Sequence, residues 1–288
     1  YLQSQGFEVG LSYDQLHHWS VDQPEQFWQA IWEFGQVVAE GDRQPVLVDG
    51  DKFPGARWFP STRLNFAENL LRCRDERPAL VSLLENGDRS ELSYEQLYCR
   101  VAQLEAAIRK LDLKPGDRVA GFMPNIEENV IAMLAATSIG AVWSSCSHDF
   151  GINGVMDRFG QIEPRLLFAA DGYYYNGKSC DSLERLAAIR SQIDSIEKVV
   201  VVPLLSPSPD ISAIQGAVLF PDFLDQEARE VEFERLPFDH PLYIMYSSGT
   251  TGVPKCIVHG AGGTLLQHLK EHRLHVDLTR EDVLFYFT

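Results

Sequence analysis

The chain has 288 residues, 45% of them hydrophobic, which is enough to bury a sizeable core in one or two domains. Its 41 acidic side chains outnumber 25 basic ones, for a formal charge of −16. The average field therefore repels nucleic-acid backbones and anionic membranes, and any anionic ligand must be met by local cations and donors. The cysteines (Cys73, Cys99, Cys146, Cys180, Cys256) are odd in number and never fall in C-x-x-C spacing, which fits reduced thiols in a cytoplasmic protein. The longest stretch without charge or histidine, 129–147, is broken up by Thr137, Ser138 and Gly140, so it predicts a buried helix and a short strand rather than a membrane span.

In chain order, 1–50 is an aromatic arm. Pro24 suits the first turn of a helix that carries Phe27, Trp28, Ile31, Trp32 and Phe34 on roughly one side, and the arm is expected to lie over a larger body. A Pro- and Gly-bearing loop at 49–60 follows. From there strands alternate with helices. A strand at 79–84 turns at Asn86-Gly87-Asp88 into a short partner, and Ser93 with Gln96 forms a capping box that opens a helix. Strands at 118–123, 141–143, 165–169 and 198–202 are separated by helices at 151–161 and 182–193. This pattern predicts an α/β fold with a mostly parallel sheet covered on both faces. The Pro-rich, acidic stretch 204–240 is the candidate boundary, giving an arm at 1–50, a first α/β subdomain at 51–240 and the start of a second one at 241–288. Within the last, a glycine-rich turn at 260–263 precedes a helix at 264–275, and 282–287 opens a strand.

The chemistry concentrates at 242–259, LYIMYSSGTTGVPKCIVH. Two apolar runs enclose Ser247, Ser248, Gly249, Thr250, Thr251 and Gly252, followed by Lys255. Glycines let the backbone approach a ligand, short hydroxyls and exposed N–H groups favour an anion, and the lysine adds a full charge. A Walker A loop is disfavoured, because Gly249 and Gly252 are too close, Pro254 precedes the lysine and Cys256 replaces the magnesium-binding hydroxyl. The plain alternative is a Ser/Gly hairpin with a solvated lysine. In 264–275, His268, Glu271 and His272 have H-x-x-E-H spacing, but no third zinc ligand accompanies them and an ordinary polar helix face suits them.

Every position of 247–255 fits the phosphate-loop signature of the adenylate-forming family, and the chain is identified as resembling it. Blocks at 19–28 (WSVDQPEQFW), 58–71 (WFPSTRLNFAENLL), 140–151 (GAVWSSCSHDFG) and 259–272 (HGAGGTLLQHLKEH) narrow the resemblance to the acetoacetate-activating branch of its acyl-CoA synthetases. Ser61, Phe66 and His148 depart from that branch, which has Gly, Tyr and Pro there. The resemblance implies a ligase that uses ATP with Mg2+ to turn acetoacetate into an acyl-adenylate and passes the acyl group to CoA. Ser247, Ser248, Gly249, Thr250, Thr251, Gly252 and Lys255 would hold the ATP phosphates, with Lys255 catalytic. Lys178, in the loop DGYYYNGK, would face the 3′-phosphate of CoA, although a solvent lysine beside an Asn-Gly turn explains it as well. Trp143, Ser144, Ser145, Cys146 and Asp149 stand where a strand end is expected, and packing accounts for Trp143 equally. The family's magnesium-binding glutamate and its adenine- and ribose-binding residues follow Thr288. The chain by itself is therefore expected to be inactive, with the C-terminal part of the same enzyme as its partner. The rival readings are another short-chain acyl-CoA synthetase, a non-catalytic nucleotide-binding fragment and a P-loop kinase.

Overall fold

The structure is a computed structural model that describes residues 1–6, 12–247 and 252–285. The chain forms two compact units and passes between them repeatedly. One comprises Tyr1–Leu64, Arg235–His240 and the chain from Gly260 onward; the other comprises Asn65–Glu234 and Pro241–His259.

In the first unit, helix α1 (Tyr13–Asp22) opens with a capping box between Ser12 and Gln15, and α2 (Pro24–Gly35) has its proline in the first turn, where the missing N–H is not needed. Ala30, Ile31, Trp32 and Gly35 are the buried positions of α2. Gly35 packs closely on Leu269, whose Cδ1 a Cβ there would meet at 2.8 Å, so a larger residue would require the leucine side chain to shift. Aromatic rings form the centre of this unit: Phe59 lies 4.7 Å from Trp32 and 5.0 Å from Phe238, centroid to centroid. Strands Ala39–Gly41, Thr62–Leu64 and Leu236–Pro237 pair antiparallel around them. The helix Ala261–Lys270, extended by a π-type turn Glu271–His275, completes the unit.

The second unit is built on a seven-stranded sheet. Its strands are β1 (Arg118–Phe122), β2 (Val142–Ser145), β3 (Leu166–Ala170), β4 (Lys198–Val202), β5 (Ala217–Leu219), β6 (Pro241–Ser247) and β7 (Lys255–Gly260). The spatial order is β5-β4-β3-β1-β2-β6-β7, and the pairs from β5 through β6 are parallel. Alternate residues of β3 point to opposite faces. Leu166 and Phe168 pack with Val101, Leu104 and Ile108 of helix α3 (Tyr94–Arg109) and Ile131 and Ala135 of α4 (Glu127–Ser138). Leu167 and Ala169 pack with Val155 and Phe159 of α5 (Ile152–Ile162) and Leu186 and Ile189 of α6 (Leu183–Gln192). Both faces are dry, so the strands read as apolar runs without polar alternation. Gly140 closes α4 at φ +77° and directs the chain into β2.

The expected capping box at Ser93, the hairpin at Asn86-Gly87 and the strand at 198–202 are all present. Three details differ from expectation. Within 204–240 the chain forms β5, which extends the sheet edge beside β4. The C-terminal helix starts at Ala261 rather than Thr264, and Gly262 within it sits against the Phe238 ring, where a Cβ would meet ring carbon at 2.2 Å. At 282–285 the described residues are not in a strand, and Val283 and Phe285 are exposed, with no partner strand among the described residues to pair with.

Candidate phosphate-binding site

All strands of a parallel sheet end on the same rim, and ligands of open α/β sheets approach that rim. Strand β6 ends there at Ser247, which is half-buried, and is set beside β2 by the pair Tyr243 and Trp143. Of the predicted loop residues, Ser248, Gly249, Thr250 and Thr251 lie outside the described residues. Gly252, at φ +100°, has nothing within 4 Å of a would-be Cβ, so its backbone conformation rather than crowding calls for glycine. Lys255 opens β7 with its side chain exposed, and no carboxylate among the described residues pairs with it.

Below the loop, the sheet supplies a buried polar cluster that the sequence did not reveal. Ser144 Oγ lies 2.8 Å from the carbonyl oxygen of Ile244 and 3.0 Å from the phenol oxygen of Tyr246. A carbonyl only accepts, so Ser144 donates to Ile244 and receives the Tyr246 proton. Burial pushes the Tyr246 phenol up to about 12 and the neighbouring Cys146 thiol up to about 12. Both therefore keep their protons at neutral pH, and Cys146 is a packing thiol rather than a nucleophile. The Arg158 guanidinium lies 4.3 Å from the Phe150 ring centroid and 5.6 Å from that of Tyr246. Gln161 Nε2 donates to the carbonyl of Pro254 at 2.9 Å.

Lys178 begins a strand (Lys178–Asp181) that pairs antiparallel with Gly172–Tyr175 across an Asn176-Gly177 turn in which both residues have positive φ. It is exposed and follows the end of β3 on the ligand-facing rim. The base of this hairpin is fixed by Asp171, whose buried carboxylate accepts the N–H groups of Leu204, Leu205 and Ser206 at 2.8, 2.9 and 3.0 Å. His148 meets Tyr173 edge-on at 4.3 Å, and burial is the main cause that holds its imidazole below the usual histidine range. Arg185 donates to the carbonyls of His148 and Phe150, which shapes the turn between β2 and α5. Trp143 is a core residue, tilted against Phe168, and Gly121 has no room for a Cβ because the Trp143 ring lies 2.6 Å from where it would be. His268 and His272 have ring centroids 6.0 Å apart, while Glu271 is held by Lys270 and Gln267. No group of three metal-ligating side chains exists among the described residues, and none of the described helices is long and apolar enough to cross a membrane.

The described geometry is thus a mostly parallel sheet whose strand β6 ends at Ser247, with an exposed lysine opening the next strand. Residues 66–288 match the AMP-binding enzyme family, and residues 13–70 match the acetyl-coenzyme A synthetase N-terminus family. The chain belongs to the AMP-binding enzyme family, and its fold is the N-terminal part of the acyl-CoA synthetase fold. It is 49% identical over 96% of its length to acetoacetyl-coenzyme A synthetase of Rhizobium meliloti (strain 1021) and 47% identical over 98% to acetoacetyl-CoA synthetase of Rattus norvegicus, covering 42% and 43% of those proteins. The solved structure of acetoacetyl-CoA synthetase from Streptomyces lividans superposes with a TM-score of 0.89 at 42% identity, over 96% of this chain and 42% of that one. The chain thus spans about two fifths of the length of the relatives it matches.

Proposed function

We propose that the chain is the phosphate-binding part of an ATP-dependent ligase that activates acetoacetate and delivers it to CoA in the cytoplasm. The observation that carries this reading is the position of 247–255: a loop rich in short donors leaves the end of β6, and an exposed lysine without a carboxylate partner among the described residues opens β7. The similarity to relatives named for acetoacetyl-CoA supports the choice of acid.

In the first half-reaction an oxygen of the acid's carboxylate forms a bond to the α-phosphorus of ATP while the bond to pyrophosphate breaks. In the second, the CoA thiolate bonds to the acyl carbon and AMP leaves. Ser247, Ser248, Gly249, Thr250, Thr251 and Gly252 hold the β- and γ-phosphates, and Lys255 neutralises charge as it moves onto the departing pyrophosphate. Lys178 attracts the 3′-phosphate of CoA. ATP brings Mg2+, which screens phosphate charge. The described residues offer no clustered carboxylates for that ion, so it would be held by the nucleotide and by residues other than these. The expected division at 50/51 and 240/241, and the inactivity of the chain by itself, belong to this proposal. Acetoacetate-dependent exchange of labelled pyrophosphate into ATP by the full-length enzyme tests it. Exchange with acetate or butyrate in place of acetoacetate would move the reading to another short-chain acid, and absence of exchange with every acid would remove it.

A further inference from the structure

Helix α5 carries three residues, Val155, Phe159 and Ile162, into the core beneath the sheet, with Val155 and Phe159 completely buried. That face fixes the helix as a rigid element. Arg158 and Gln161 lie three positions apart, hence on one neighbouring face, and they engage the two ends of the phosphate loop. Arg158 stands between the Phe150 and Tyr246 rings, and Tyr246 is the residue immediately before Ser247. Gln161 uses its amide nitrogen twice: it donates to the Asp157 carbonyl at 2.5 Å and to the Pro254 carbonyl at 2.9 Å. Pro254 immediately precedes Lys255, and it has no N–H of its own with which to take part in a sheet. Its carbonyl is therefore a handle on the backbone that carries the lysine.

From this geometry we propose that α5 is a brace for the phosphate loop, with Gln161 as a positioning residue that sets where Lys255 enters the site and Arg158 as its counterpart at the loop's entrance. The proposal rests on the function assigned above to Lys255. A transition-state donor acts at full strength only when it is held in place beforehand, so a bond made to the neighbouring carbonyl affects adenylate formation, and it has no bearing on a step in which pyrophosphate has already gone. Because Gln161 is exposed, its bond competes with water, and its loss is worth about threefold to tenfold in rate.

The test uses Gln161→Met, which keeps the length of the side chain without a donor, and Gln161→Glu, which turns an acceptor toward the Pro254 carbonyl, both in the full-length enzyme. Two measurements are made: amide hydrogen exchange of a peptide spanning 252–258, and the separate rates of pyrophosphate exchange and of thioester formation from preformed acyl-adenylate. The expected result is faster amide exchange at 252–258 in both variants, pyrophosphate exchange about threefold to tenfold slower, with Gln161→Glu the slower of the two, and unchanged thioester formation. Unchanged amide exchange in both variants overturns the brace. Equal slowing of both half-reactions overturns the assignment to Lys255, because a general loss of fold would do the same. If amide exchange rises while the unaltered enzyme catalyses no pyrophosphate exchange with any acid, the brace stands and the function assigned to the site falls.

Discussion

Two loops on the same rim of the sheet each carry a lysine assigned to an anion, and they are held in different ways. The hairpin bearing Lys178 is tied down from within, by a two-residue turn and by a buried carboxylate that receives three backbone N–H groups at its base. The segment bearing Lys255 is held from outside, through Tyr246 and Pro254, by side chains of a helix nearly a hundred residues earlier in the chain. The first arrangement gives a fixed platform, suited to a ligand that docks. The second ties down the residues on either side of the loop, Tyr246 and Pro254, and suits the proposed role of Lys255 in the first half-reaction. Four substitutions in the full-length enzyme sharpen or break this contrast.

The largest effect is expected at Lys255. Lys255→Ala should slow adenylate formation by about 2 to 4 kcal/mol of transition-state stabilisation, while transfer from preformed adenylate changes little. Rapid-quench measurement of the two half-reactions checks this, and equal losses in both would show that the lysine serves the fold and not the first step.

Next comes Asp171→Ala, a change in stability rather than in chemistry. Three N–H groups lose a buried, charged acceptor, and a loss of about 2 to 3 kcal/mol in unfolding free energy follows. Denaturant titration measures it. A loss below about 0.5 kcal/mol would mean that water reaches the base of the hairpin, and the picture of a fixed platform would fail.

Tyr246→Phe is expected to cost about 1 kcal/mol, since it deletes one buried hydroxyl while Ser144 keeps its bond to the Ile244 carbonyl. It also carries a signature in pH. The phenol ionises at about 12 in the folded protein against an ordinary 10.0. Below pH 10 both states keep the proton, and between about pH 10 and 12 the unfolded chain loses it first, so stability falls as pH rises through that window. The variant should lack this part of the fall. Cys146, raised from 9.0 to about 12, contributes its own loss from about pH 9 upward and should continue to do so in the variant. Identical alkaline melting curves for the two proteins would contradict the burial of the phenol.

Much of this architecture could be read from the sequence because its determinants are local. Ser93 and Gln96 cap α3 from within one turn, the valines of β4 need no partner to announce a buried strand, and Gly140 ends α4 where the apolar run pauses. The family could be read for the same reason, since the nine consecutive residues 247–255 carry its signature and residues 66–288 match the AMP-binding enzyme family. What stayed hidden depends on distant contacts. Asp171 is bonded to residues 33 to 35 positions away, Gln161 to one 93 away and Ser144 to one 102 away. Each is an ordinary polar residue until the fold brings its partner alongside, through the β3-β4 pair for Asp171 and the β2-β6 pair for Ser144. Strand β5 escaped notice because three residues are too few to show a period, and Gly262 resembled a turn residue because the ring that requires its smallness belongs to Phe238.

The smallest effect separates docking from chemistry at Lys178. Its side chain is exposed at the Asn176-Gly177 turn, so an ion pair made there is screened by water and salt. An exposed pair of this kind is worth about 0.2 to 1 kcal/mol, which converts to a factor of about 1.4 to 5. Lys178→Ala should therefore raise KM for CoA by no more than about fivefold and leave kcat, KM for ATP and adenylate formation unchanged. Dephospho-CoA, which lacks the 3′-phosphate, supplies the control. If Lys178 meets that phosphate, the unaltered enzyme and the variant should use dephospho-CoA equally well, and the difference seen with CoA should shrink as salt is raised. An equal rise in KM for both thiols would place the lysine elsewhere along the ligand. No change for either would leave it as a solvated residue of a hairpin whose rigidity comes from Asp171, and the contrast between the two loops would then rest on how they are held and no longer on what they hold.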